Sequence, residues 1–290
     1  MQTYCLSLLG FGDCLITLSL LESLGQEAPP VLGTGVTQQV NQLLNQPLQV
    51  EAILPDVARF NTLRQSGLRA ALVDFLQARK AVHRRLRAED RALLERGDLR
   101  HRLLLPAGTQ ALAQEPSTSV YNARRQWLEQ ALGRPLQHRA PPRPGPIQHL
   151  SINPCARFRR RNLGPQIVQN ILGLCRSRGW QLSLIDPTGE YASFAKDCVN
   201  YLARPALKDA VQLLRQSDVY LGPDSFFLHV AHYFGIPHFG FYYPDHLLFM
   251  TPGMEELGNW CTFQQAMDPA ALEAGLGLWI TQAAGHADLD

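Results

Sequence analysis

The feature that most limits how this chain can fold is the run Ala140-Pro141-Pro142-Arg143-Pro144-Gly145-Pro146. It is too rich in proline for a helix or an inner strand, because each ring fixes φ and removes a backbone donor. A stiff, extended linker near the middle of 290 residues divides the chain into two halves, each long enough to bury its own core. The spacing therefore predicts one domain over residues 1–140, a linker over 141–147 and a second domain over 148–290.

Both halves alternate short apolar runs with helical patterns. In the first, residues 3–9 read as a strand broken by Gly10-Phe11-Gly12-Asp13, followed by an apolar helix to about Gly25. Further strands are expected at 30–32, 48–54, 70–75 and 101–105. Helices are expected at 36–44, 57–66 and 120–132, with a basic helix over 76–94. In the second half, strands are expected at 149–152, 180–185, 218–221 and 238–242. Helices are expected at 164–178, 191–199, 207–215, 226–233 and 270–283. Strands separated by helices predict parallel α/β sheets. Two such domains of similar size predict a cleft between them, with ligands at the carboxyl ends of the strands.

Charge adds a local signal. Lys plus Arg number 27 against 25 Asp plus Glu, so the net charge of +2 gives no global pull toward nucleic acid or membrane. Between Arg79 and Arg102, however, nine basic residues face four acidic ones. That segment lacks aromatics for stacking on bases, which argues against nucleic acid. Cys5, Cys14, Cys155, Cys175, Cys198 and Cys261 show no Cys-x-x-Cys pairing and read as reduced thiols. No basic leader precedes the N-terminal apolar run, and Gly10, Gly12 and Asp13 interrupt it well short of the ~20 residues needed to span a bilayer. The expectation is a cytoplasmic chain, with peripheral contact at the inner face of the membrane left open.

The stretch from Ser217 to Ala231 gathers an acid, a hydroxyl and an imidazole. A strand ends at Gly222-Pro223, and Asp224 or Ser225 stands where the next helix would be capped. Unpaired N–H groups and the positive dipole end at such a start suit a phosphate or diphosphate. His229 follows about one turn later. An ordinary capped core helix is the other reading of the same residues.

Gly10-Phe11-Gly12-Asp13-Cys14-Leu15-Ile16-Thr17 resembles the N-terminal signature of the bacterial heptosyltransferase family, also called glycosyltransferase family 9. Asp224-Ser225-x-x-x-His229-Val230-Ala231 resembles its second signature. Asn153-Pro154 through Leu163, residues 207–217, and Gly235-Ile236-Pro237 through Pro244 match in order and spacing. The likeness is weak from about Arg79 to Ala140. The resemblance implies a GT-B-like fold: two Rossmann-like α/β domains facing a central cleft. It implies an inverting glycosyltransferase that works without a metal or cofactor and moves a sugar, a heptose among the candidates, from a nucleotide diphosphate donor to an acidic glycan acceptor of the lipopolysaccharide-core type.

In that frame Asp13 is the catalytic base, accepting a proton from the acceptor hydroxyl. Helix capping is its alternative role. Gly12, Arg157, Arg161, Asp224, Ser225 and His229 are the expected donor-binding residues, and Arg161 stands where the family has a lysine, able to meet the leaving diphosphate. At least two of the four arginines from Arg157 to Arg161 are expected to be solvated loop. Asp186 and Glu190 are candidates for the ribose hydroxyls, or else turn acids. Arg79, Lys80 and Arg84 are the expected acceptor-side residues, with a solvated helix face as the other reading. No metal site is expected, since the clear Asp-x-Asp pair is Asp288-Leu289-Asp290 at the C-terminal end.

One departure matters. Phe226 stands where the family signature has glycine, bringing a ring to the turn expected at the phosphate. It motivates one rival, a non-catalytic sugar-nucleotide or glycan-binding protein; a sugar-nucleotide epimerase on the same scaffold is a third reading, which nothing in the motifs favours.

Overall fold

The computed structural model describes residues 1–55, 67–114, 119–136, 139–140 and 142–284. The chain forms two compact units, Met1–His138 and Arg139–Asp290. The helix expected over 57–66, the C-terminal Asp288-Leu289-Asp290 and Pro141 of the linker lie outside the described residues.

The first unit carries β1 (Thr3–Ser7), α1 (Phe11–Glu22), β2 (Val31–Thr34), α2 (Gly35–Asn41), β3 (Val50–Leu54), α3 (Leu68–Arg85), β4 (Arg91–Leu94), α4 (Leu99–Arg102), β5 (Gln110–Ala113) and α5 (Val120–Leu132). Its five strands are all parallel, in the order β3-β2-β1-β4-β5. The order reverses between β1 and β4, which is where a doubly wound sheet opens a crevice at its carboxyl edge. Leu6, Leu8, Leu32, Leu94 and Leu104 build its core with Ala71, Ala78 and Val82 of α3. Local chemistry fixes the helix ends. Thr34 and Thr37 form a reciprocal capping box at the start of α2, and the Ser119 side chain accepts from the Asn122 N–H at the start of α5.

The second unit carries β6 (His149–Ile152), α6 (Pro165–Arg178), β7 (Gln181–Asp186), β8 (Asn200–Ala203), α7 (Leu207–Arg215), β9 (Val219–Pro223), α8 (Phe226–Tyr233), β10 (His238–Tyr242), α9 (Met254–Leu257), β11 (Trp260–Thr262), α10 (Phe263–Met267) and α11 (Pro269–Ala284). The order is β11-β10-β9-β6-β7-β8, again parallel, with the switch between β6 and β9. Proline at the first position of α6 and left-handed Gly179 (φ 69°) at its end bracket that helix. Gly222 and Gly240 pair across β9 and β10, each beneath the ring of a tyrosine two residues away. A Cβ on Gly222 would stand 2.3 Å from the Tyr220 hydroxyl, so only glycine lets that ring lie flat on the sheet.

Several expectations need correction. Residues 70–75 are not a strand but part of α3, whose buried side is Ala71, Asp74, Ala78 and Val82. The basic helix does not run to residue 94; it ends at Arg85, and Arg91–Leu94 is the strand beside β1. Residues 101–105 are not a strand, since Asp98 caps a single helical turn there. The segment expected as a helix over 191–199 is a 3-10 stretch, Ala192–Asp197. Strands β5, β8 and β11 have three or four residues each, too few to show a period.

Candidate functional site

In the first unit the site begins at the carboxyl end of β1. The chain leaves the strand, and Gly10, with extended backbone, occupies the cap position of α1 with no side-chain cap. Phe11, Gly12 and Asp13 are therefore already helical, and the Cys14 N–H makes the first intrahelical bond, to Gly10 O at 3.0 Å. This corrects the capping alternative for Asp13, which lies in the first turn and is favoured there by the helix dipole. The N–H of Gly12 is among those that a helix start leaves without an intrahelical acceptor.

Behind Asp13 lies a polar cluster that sequence reasoning missed. Glu95 follows β4, across the switch point from Asp13, and Arg124 comes from α5. Arg124 Nη1 donates to Glu95 Oε1 at 2.9 Å and also to Thr17 Oγ1, while its Nη2 reaches Asp13 Oδ1 at 3.5 Å. Ser7 Oγ and Thr17 Oγ1 donate to the same Glu95 oxygen at 3.0 and 2.6 Å. The Arg124 and Glu95 side chains are 3 % and 2 % exposed, whereas Asp13 is 30 % exposed. Asp13 is thus the accessible end of a buried chain of charges. Burial pushes the Glu95 carboxyl above its ordinary range, against the pull of Arg124 and the Thr17 and Ser7 hydroxyls. The Cys14 thiol, under the same floor, is pushed up to about 12 by burial and by Glu95, so it is an inert packing group.

In the second unit a separate set of candidate residues gathers at the β6/β9 switch. The loop after β6 is tied to itself: Asn153 Oδ1 accepts from Cys155 N at 2.7 Å, Asn162 Oδ1 from Ala156 N at 2.8 Å, and Leu163 N donates to Pro154 O at 2.8 Å. That fold-back turns Arg161 inward. Its Nη1 pairs with Asp224 Oδ2, and its guanidinium lies 4.9 Å from the Phe158 ring centroid. Arg161 and Asp224 are 12 % and 6 % exposed, so the pair is largely removed from screening.

The neighbouring arginines do other things. Arg157 is exposed beside Phe158, Arg159 pairs with Glu190 at 3.2 Å, and Arg160 meets His246 at 3.4 Å. Of the four, Arg161 alone reaches Asp224; Arg157, expected beside it, is not brought there.

Ser225 occupies the cap position of α8, yet its side chain makes no cap bond. The first N–H groups of that helix are thus not taken by Ser225. Phe226 is half-buried and packs edge-on against Phe227 at 5.5 Å, and Phe227 belongs to the core. His229 is buried, and its pKa is pushed down to about 3 by burial, by His238 and by Arg161. It is a neutral imidazole and contributes no positive charge to the site. Asp186 is not a surface turn acid: it is fully buried and accepts from Thr188, Gly189, Tyr191 and Tyr201. Those bonds outweigh the burial that would raise its pKa and hold it below the ordinary range. With both oxygens committed to its own turn, Asp186 does not offer a carboxylate to a ribose.

The expected acceptor-side residues Arg79, Lys80 and Arg84 lie exposed on α3. Among the described residues no group of three or more His, Cys, Asp or Glu is placed to hold a metal ion.

The buried histidines carry a stability prediction. His238 is also pushed down by burial, to about 4, despite its bond to Ile236 O. The folded chain keeps both rings neutral, while the unfolded chain binds protons near the ordinary value of 6.5. Stability is therefore full above about pH 6.5 and falls with pH below it, by up to about 1.4 kcal/mol per pH unit for each ring. Urea unfolding from about pH 7.5 down to about pH 5 checks this; a flat profile would contradict it.

Neither family models nor curated protein sequences give a match to this sequence. Solved structures do. Escherichia coli heptosyltransferase WaaC, in complex with ADP-2-deoxy-2-fluoro heptose, superposes with a TM-score of 0.68 at 12 % identity, over 96 % of this chain and 99 % of that one. A glycosyl transferase of family 9 from Veillonella parvula gives 0.62 at 10 % identity, over 97 % of each chain. E. coli ADP-heptose lipopolysaccharide heptosyltransferase II gives 0.59 at 12 % identity, over 97 % of this chain and 99 % of that one. The fold is that of the GT-B glycosyltransferases, with two Rossmann-like domains.

Proposed function

We propose that this protein is an inverting glycosyltransferase that moves a sugar from a nucleoside diphosphate donor to a hydroxyl of an acidic glycan. The observation that carries the reading is Asp13, accessible at the carboxyl end of β1 and backed by the buried Arg124–Glu95 pair. A carboxylate held this way takes the proton of the acceptor hydroxyl as the oxygen attacks the anomeric carbon. The C1–O bond to the diphosphate breaks on the opposite face, and the configuration inverts.

The leaving diphosphate gains negative charge. Arg161, poised by Asp224 and Phe158, meets it together with the N-terminus of α8 at Ser225. His229 takes part as a neutral hydrogen-bonding group. The complexes of E. coli heptosyltransferase WaaC with ADP-2-deoxy-2-fluoro heptose and with ADP support a nucleotide sugar as donor. Arg79, Lys80 and Arg84 supply the positive field that favours an acidic acceptor, and a heptose is the first sugar to test.

Arg161→Ala is expected to weaken donor binding by about 10- to 100-fold, the loss of one or two charge-assisted hydrogen bonds. EDTA is expected to leave binding and transfer unchanged. A thermal-shift screen against ADP-, GDP-, UDP-, CDP- and dTDP-linked sugars reads the binding arm. A donor that binds Arg161→Ala as tightly as the parent protein would remove Arg161 from the site, and transfer lost to EDTA would remove the metal-free mechanism.

Phe226 favours one rival. Its ring stands at the first position of α8, where the family signature has glycine, and a ring there suits a protein that binds the nucleotide without turning it over. Saturable binding with no nucleoside diphosphate released, with acceptor present, would select that reading.

A further inference from the structure

The outward side of α3 combines exposed apolar and basic residues over about five turns. At about 100° per residue, the buried Ala71, Asp74, Ala78 and Val82 define one side of the helix. The opposite arc carries Leu68, Leu72, Val73 and Leu76, which are 78, 54, 45 and 54 % exposed. The same arc carries Arg69, Arg79, Lys80 and Arg84, all exposed, and no acidic residue. The acidic residue of the helix, Asp74, faces the core at 6 % exposure. Arg85 lies off this arc, paired with Glu51 at 2.7 Å. No ion pair or hydrogen bond holds Arg69, Arg79, Lys80 or Arg84 among the described residues.

The geometry points to α3 as a membrane-surface helix that docks the first unit on an anionic lipid bilayer. Its first half presents a strip of leucines long enough to sink among the acyl chains, and its second half presents cations at the level of the headgroups. Lys and Arg reach headgroup phosphates from such a position while their stems stay in apolar surroundings. No described helix is long and apolar enough to cross a bilayer, so contact through α3 is interfacial. The absence of acid on the arc selects an anionic surface over a zwitterionic one. It also selects against a second copy of this chain, since two such faces would bring like charges together. The inference does not depend on the proposed transfer reaction.

The test is co-sedimentation of the full chain with vesicles of phosphatidylcholine alone and of equal parts phosphatidylcholine and phosphatidylglycerol. The protein is expected to pellet with the anionic vesicles and to be released by high salt. Reversing Arg79, Lys80 and Arg84 to Glu is expected to lower the partition coefficient by at least about fivefold per residue. Leu72→Ser/Leu76→Ser is expected to lower it about tenfold or more with all the charges intact. Both sets of positions are exposed, so the variants should melt like the parent protein, and circular dichroism confirms that they fold.

Three results would overturn the inference. One is a protein that stays in the supernatant with both vesicle types. Another is equal binding by the leucine variant. The third is an oligomer in the parent protein that Leu72→Ser/Leu76→Ser dissolves, which would assign the face to a protein contact.

Discussion

Asp13→Asn is expected to lower the rate of sugar transfer by about 10²- to 10⁴-fold, the usual worth of a positioned general base, with donor binding unchanged. Asparagine matches aspartate in shape, and its side-chain oxygen still accepts from Arg124. The fold and the buried Glu95 cluster therefore stay as they are. What disappears is the ability to take a proton. Arg161, Asp224 and Ser225 belong to the other unit and the Gly12 backbone is untouched, so the melting shift with nucleotide sugar should match that of the parent protein. Steady-state transfer measured beside the thermal shift separates the two effects. Turnover within a few-fold of the parent would end the case for Asp13 as base.

The second large effect lies in the pair behind it. Arg124 and Glu95 are both almost fully buried, and removing one partner leaves an uncompensated charge in the interior. Arg124→Leu or Glu95→Leu alone is expected to cost about 3–5 kcal/mol of stability. The double variant removes both charges, and an apolar replacement of a buried pair is often near neutral. It is expected to recover most of the lost stability.

Transfer should not return with it, because Asp13 has lost the guanidinium that holds its carboxylate at 3.5 Å. A loss of about 10- to 100-fold in kcat is expected to remain, the scale on which a misplaced catalytic group lowers a rate. Urea unfolding of the three variants, read against kcat and KM, tests this. Transfer recovered in step with stability would reduce the pair to a structural role.

Much of the fold was open to sequence reasoning because its signals are local. A short apolar run broken by glycine and followed by a helical period marks the strand-to-helix turn at Gly10, and the same grammar marks the turn at Gly222-Pro223. Repetition of that unit on both sides of the prolines led to two parallel α/β sheets. The errors share a cause. Ala70 to Phe75 looks like a strand because Leu72 and Val73, both exposed on α3, stand in one apolar stretch with Ala70, buried Ala71 and half-buried Phe75. A rule that assigns apolar residues to the interior fails when a helix turns them outward. The basic composition after Leu76 then hid β4, whose apolar core is only Ala92, Leu93 and Leu94.

The sequence by itself determined the two-sheet class and the turns that place Asp13, Asp224 and Ser225 at strand ends, since chain direction and backbone sterics act over a few residues. Tertiary structure alone decided which charges meet. Arg124 lies 107 residues from Thr17 and 29 from Glu95, and Arg161 lies 63 from Asp224. It decided that Asp186 is consumed by its own turn, that three of the four loop arginines turn elsewhere, and that His229 is neutral. The physical reason is that an ionisable group takes its role from burial and from the charges packed around it, and both are set by residues that the chain brings together only when the sheets close.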